Sequence, residues 1–151
     1  MKLQSLEDTK NVSIQISKII KPGDIIFLYG DIGTGKTTFV RFLINNLEVK
    51  KGLDTSEVLS PTFNIAYDYN LGDLKIIHYD LYRLKNNNDI SQLAIFDNVN
   101  EEIKIIEWPE LIEEKPIDRI EMYFKYASSL DYRLIRIKGF GKWNNHKFHE
   151  I

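Results

Sequence analysis

The chain is 151 residues long, 43% hydrophobic and 28% charged, which fits one globular domain with a real core and excludes disordered, collagen-like and coiled-coil chains. It contains no cysteine, so disulfides, thiolate nucleophiles and cysteine-based zinc sites are removed from consideration. Twenty basic against 22 acidic residues leave a net charge of −2, which argues against unaided binding of DNA or RNA through a basic face.

In chain order, Val12, Ile16, Ile19 and Ile20 recur at helical spacing over residues 12–20 and predict a helix, broken by Lys21-Pro22-Gly23-Asp24. Residues 24–29 read as a short buried strand of the kind parallel sheets use. A glycine-rich loop over 30–37 follows, then a helix over 38–47 with an apolar face at Phe39, Phe42, Leu43 and Leu47. Residues 50–60 are polar and read as an exposed connection. Two strands, 63–70 and 74–84, predict a hairpin around Leu71-Gly72-Asp73. Asn86-Asn87-Asn88-Asp89 caps a short helix over 90–96. A strand over 103–108 precedes a helical turn begun by Pro109, and two β-rich runs over 119–126 and 132–138 close the unit. One domain over 1–141 and a tail over 142–151 are expected, with fraying over 139–151. No apolar run reaches membrane-spanning length and no export signal is visible, so the expected location is the cytoplasm, away from membranes.

Gly30-Asp31-Ile32-Gly33-Thr34-Gly35-Lys36-Thr37 fits the phosphate-loop (Walker A) pattern, and it lies between a predicted strand and a predicted helix as that pattern requires. Glycines let successive backbone amides turn inward around phosphate oxygens, and the helix start adds its positive dipole end. Lys36 is then the cation for the β- and γ-phosphates, and Thr37 a hydroxyl ligand for Mg²⁺. Hydrolysis further needs a carboxylate for the metal and a group that orients water. Two predicted strands end in carboxylates, at Asp80 and Glu107, where ligands of open parallel sheets bind. Spacing leaves open which of the two serves the metal. Alternation puts His78, Asp80 and Tyr82 on one strand face. A lone strand histidine reads as packed or hydrogen-bonded, and Tyr67, Tyr69, Tyr79 and Tyr82 as cross-strand packing. Arg83 is the nearest arginine for transition-state charge, with surface pairing an equal alternative.

The phosphate loop through Thr38-Phe39, then Ser60-Pro61-Thr62-Phe63, then His78-Tyr79-Asp80-Leu81-Tyr82-Arg83-Leu84, then Ile106-Glu107-Trp108-Pro109-Glu110 resemble the TsaE (formerly YjeE) family across residues 9–141. The resemblance implies an ATPase that supports threonylcarbamoyl modification of adenosine 37 in tRNA. It implies an α/β, P-loop NTPase-like fold with a mainly parallel sheet flanked by helices, a β-hairpin insertion and C-terminal antiparallel strands. It further implies ATP or ADP held by the loop residues Asp31, Ile32, Gly33, Thr34, Gly35, Lys36, Thr37 and Thr38, with Trp108 beside them. Thr37 and Glu107 would ligate Mg²⁺, Lys36 and Asp80 would serve hydrolysis, and Thr62 would sense the γ-phosphate. Thr9 and Arg133 fall where adenine-side contacts are expected. The implied partners are TsaD and TsaB, with tRNA engaged only through their complex and the carbamoyl transfer belonging to TsaD. One departure is 92–97, which lacks the glycine expected before the Glu-Trp strand.

Two rival readings stay open. A small nucleoside or metabolite kinase would phosphorylate an acceptor and carry an arginine-bearing lid, yet 86–98 contains no arginine. A scaffold using ATP only as a conformational signal would bind without releasing phosphate.

Overall fold

The computed structural model describes residues 1–97, 99–128 and 131–148. A seven-stranded sheet forms its centre, in the order β1-β7-β6-β2-β5-β4-β3. The strands are β1 (Lys2–Leu3), β2 (Ile25–Tyr29), β3 (Ala66–Leu71), β4 (Leu74–Asp80), β5 (Glu102–Glu107), β6 (Arg119–Tyr126) and β7 (Arg133–Phe140). β2 pairs in parallel with both β5 and β6, and β4 pairs in parallel with β5. The other three pairings, β1 with β7, β3 with β4 and β6 with β7, are antiparallel. The sheet is therefore mixed rather than mainly parallel. The predicted hairpin and C-terminal pair are both present, but together with β1 they supply as many pairings as the parallel centre.

Helices α1 (Leu6–Ile19) and α2 (Lys36–Lys50) cover one face. Val12 and Ile16 of α1 and Phe39, Val40, Leu43, Ile44 and Leu47 of α2 meet Ile26, Leu28, Ile76, Ile103, Ile105, Ile120, Met122 and Phe124 of the sheet in one core cluster. On the other face Ile25, Phe27, Ile77, Tyr79 and Ile106 pack with Leu81, Ile95 and Ile112 from the connections. Strand alternation explains the division, since neighbours along each strand point to opposite sides.

Several boundaries differ from expectation. α1 begins six residues before the predicted start at residue 12, because Ser5 and Asp8 form a reciprocal capping box. β4 stops at Asp80 rather than continuing to 84, since the Asp80 side chain accepts a hydrogen bond from Tyr82 N at 3.0 Å and turns the chain. The short helix α3 spans Asn87–Ser91, with Asn86 as its cap, and 92–97 follows as turns. The expected fraying after 139 is not what the described residues show. Gly141–Trp143 forms a 3₁₀ turn, and Trp143 and Phe148 join the helix-side core. The remaining residues of the expected tail, 149–151, lie outside the described part. Among the described residues no helix is long and apolar enough to cross a membrane.

Candidate functional site

The loop after β2 is shaped by backbone that only glycine tolerates. Gly30 has φ +138°, and a Cβ built there would lie 2.3 Å from the Phe124 carbonyl oxygen of β6. Gly35, at φ +104°, caps α2 without contributing a side-chain hydrogen bond. The two long helices contrast here. α1 satisfies its first amides with Ser5 and Asp8, whereas α2 begins with neither a cap side chain nor an acid in its first turn. A helix that opens this way leaves its amide donors and positive dipole end for an anion.

Lys36 lies at that opening and is 4% exposed. Its ammonium donates to the carbonyl oxygens of Gly30 at 2.6 Å and Asp31 at 3.0 Å and stands 4.0 Å above the Trp108 ring. Burial pushes its pKa below the ordinary lysine value, opposed by the charges of Glu107, Asp80, Glu110 and Asp31. Thr34 is fully buried and ties the loop by donating from Oγ1 to Asp31 O at 2.7 Å. Ile32, by contrast, is 66% exposed at the loop tip.

The parallel register sets Asp80 at the end of β4 beside Glu107 at the end of β5. Both are buried, at 3% and 2% exposure. Glu107 Oε2 accepts from Thr37 Oγ1 at 3.1 Å, and its Oε1 lies 3.0 Å from His78 Nε2. Asp80 Oδ2 accepts from Thr62 Oγ1 at 2.5 Å, and Thr62 is linked in turn to Ser60 Oγ at 2.9 Å. Trp108 follows Glu107 in a left-handed conformation, φ 58°, that turns its ring back over Lys36 and against Tyr82, with ring centroids 4.8 Å apart.

A cavity of about 330 Å³ opens between these elements, lined by Ile32, Gly33, Gly35, Lys36, Thr37 and Thr38 of the loop and α2, and by Ser60, Thr62, Asp80, Tyr82, Glu107 and Trp108. A second, of about 310 Å³, lies around the loop from it and shares Gly33, Gly35 and Thr38. Thr9 and Arg133 line this second cavity with Leu3, Gln4, Ser5 and Leu6. Thus Lys36, Thr37, Thr62, Asp80, Glu107 and Trp108 converge on one space, and Thr9 and Arg133 on its neighbour. Asp31 and Thr34 brace the loop from within rather than lining either cavity. Arg83 points elsewhere, with its guanidinium 5.1 Å from the exposed Phe63 ring.

The sequence did not show the places of Tyr82, Leu3 and Leu6 at these cavities, nor the partner of His78, which is buried and hydrogen-bonded as expected. Tyr82 borders the site instead of packing across the hairpin, because the strand has already ended. Leu3 and Leu6 wall the second cavity because β1 pairs with β7, a contact 130 residues apart in the chain that no local pattern announces. His78 reaches Glu107 only through the β4–β5 register, which strand alternation alone does not supply.

The donor set suits a polyphosphate with a divalent cation. It offers open helix amides, a buried ammonium, one hydroxyl paired to a carboxylate, and a second carboxylate alongside. Among the described residues no group of three or more metal-ligating side chains could hold a metal unaided. Magnesium in such sites takes one or two protein oxygens and completes its shell with phosphates and water, a number that the oxygens of Thr37 and Glu107 could supply.

A parallel strand, a glycine loop and an uncapped helix, beside two strand-end carboxylates, define a P-loop NTPase-like protein. The family model described as threonylcarbamoyl adenosine biosynthesis protein TsaE matches residues 3–134. The chain is 40% identical over 111 residues to a tRNA threonylcarbamoyladenosine biosynthesis protein TsaE of Rickettsia conorii, covering 74% of this chain and 61% of that one. Its counterpart in Rickettsia bellii is 38% identical over 136 residues, covering 89% and 91%. The crystal structure of Bacillus subtilis YdiB superimposes with a TM-score of 0.77 at 30% identity, over 99% of this chain and 90% of that one. The chain belongs to the TsaE family. It spans under two thirds of the length of the Rickettsia conorii and Rickettsia felis relatives, 61% and 63%.

Proposed function

We propose that this protein binds Mg²⁺-ATP across the two adjoining cavities and hydrolyses it to ADP and phosphate in the service of tRNA threonylcarbamoyladenosine formation. The observation that carries the reading is convergence: the loop with Lys36 and Thr37 and the strand ends with Asp80 and Glu107 line a single space. When bound, Mg²⁺ neutralises charge on the terminal phosphates. Loop amides and Lys36 hold those phosphates, with Ile32 at the loop tip and Thr38 in the first turn of α2 lining the same space. Thr37 and Glu107 are the protein's oxygen ligands for the metal. Asp80 orients the water whose oxygen bonds to the terminal phosphorus as the bridging P–O bond breaks and ADP leaves. Thr62, already bonded to Asp80, couples the 60–62 segment to the occupancy of that space. Thr9 and Arg133, with Leu3 and Leu6, form the adenine side. Trp108 shields Lys36 from water.

The partners in this reading are TsaD and TsaB, with tRNA reached through their complex, in the cytoplasm. Turnover by the protein alone is slow, since Arg83, the arginine nearest the site by motif, lies against Phe63 and not in the phosphate cavity, and Arg133 lines the adjoining cavity on the adenine side.

Phosphate release by the purified protein, with and without TsaD and TsaB, against ATP and GTP, tests the proposal. ATP-specific release that rises with the partners is expected, and Lys36→Ala or Asp80→Ala abolishes it without unfolding the chain. A phosphorylated small molecule in place of free phosphate would instead establish the kinase.

A further inference from the structure

His78 is a fully buried titratable residue that the proposed chemistry leaves without a part. Its neighbours in the sheet, Ile76 along β4 and Ile105 across the register on β5, are themselves fully buried. An imidazole in such a row costs desolvation that an aliphatic side chain would avoid. Its hydrogen-bonding contact is Nε2 to Glu107 Oε1 at 3.0 Å, while Nδ1 is buried with no partner among the described residues. Contact with a carboxylate oxygen requires a proton on Nε2, because two lone pairs at that distance repel. A proton on Nδ1 would instead bury an unpaired donor. The other carboxylate oxygen, Oε2, is the one bonded to Thr37.

We infer that His78 is a positioning residue: its Nε2–H pins Oε1 of Glu107 so that Oε2, on the Thr37 side, is the oxygen offered to Mg²⁺. The inference rests on the proposed role of Glu107. A carboxylate on an unbraced side chain could rotate either oxygen, or neither, towards the cavity. Outer-shell partners of this kind are worth roughly 10- to 100-fold in metal affinity.

The test measures the affinity of the imido-bridged ATP analogue in Mg²⁺ and in EDTA for the wild type, His78→Phe and His78→Gln. Phenylalanine keeps a ring but removes the donor, and glutamine retains an amide N–H. His78→Phe should lose about 10-fold or more of the Mg²⁺-dependent affinity, His78→Gln should recover most of it, and all three should bind equally in EDTA. In addition, ¹⁵N spectra of the histidine-labelled, nucleotide-free wild type should show His78 protonated at Nε2 and not at Nδ1. This second measurement decides the matter should His78→Phe fail to fold. Undiminished Mg²⁺ dependence in His78→Phe, a His78→Gln protein as impaired as His78→Phe, or the opposite tautomer would overturn the inference alone. A wild type whose affinity ignores Mg²⁺ would overturn the proposed function and this inference with it.

Discussion

Gly30 shows how little freedom the site leaves to single residues. The chain passes the Phe124 carbonyl so closely that a Cβ would sit 2.3 Å from its oxygen, in a backbone region L-residues avoid. Gly30→Ala should therefore lower stability by about 2–4 kcal/mol from steric overlap and strain combined, read as a drop of several degrees in thermal midpoint without nucleotide. Lys36 and Thr37 were legible at this scale because the loop pattern specifies them by spacing. The two grips on Glu107 were not, since each spans a sequence separation that only the folded register closes. Asp80 was legible as a strand-end acid, but its bond to Thr62 depends on the 61–65 turn, where Ile65 adopts φ 67°.

Among the elements, the C-terminal segment carries the sharpest contrast with expectation. Composition over 139–151, with its glycines, asparagines and histidines, resembles a loose end. What anchors it is one aromatic side chain: Trp143 is 9% exposed and packs with Phe148 in the core beneath β7. The chain turns closely enough that a Cβ on Gly139 would meet the Trp143 carbonyl at 2.1 Å. Trp143→Ala should cost roughly 3–5 kcal/mol, measured by denaturant midpoint; a surface-like change of under about 0.5 kcal/mol would mean the segment does not hold the fold. The two helices and the hairpin were legible from periodicity and turn residues. The start of α1 was not, because its first turn is polar and its signal is the Ser5–Asp8 cap rather than an apolar stripe.

For the molecule as a whole, mixing parallel and antiparallel pairings concentrates the chemistry at one place. Three of the four parallel strands, β2, β5 and β4, end side by side, so that Leu28, Glu107 and Asp80 share one edge. Local patterns marked all three as strands, and 24–29 as a buried one, but neither their order nor the insertion of β2 between β5 and β6 follows from local sequence. On the face away from the long helices, Tyr29 and Tyr123 stack with centroids 4.8 Å apart. Burial first, then the hydrogen bond and charge of Glu121, raise Tyr123 from 10.0 to about 12. Between those values the unfolded chain loses a proton that the folded protein keeps, so this residue makes stability fall as pH rises through that window. Tyr123→Phe should flatten the decline, with a residual slope from Tyr29, whose pKa burial also raises; an unchanged slope would remove Tyr123 from the account.

The indole of Trp108, folded back 4.0 Å above the Lys36 ammonium, makes the molecule its own optical gauge. A cation at that distance perturbs emission, and a ligand that draws the ammonium away should shift it. Trp143 lines neither cavity, so with Trp143→Phe in place the whole signal belongs to the pocket. Titrating that single-tryptophan protein with ADP should give a saturable change in fluorescence, absent when Lys36 is replaced by alanine.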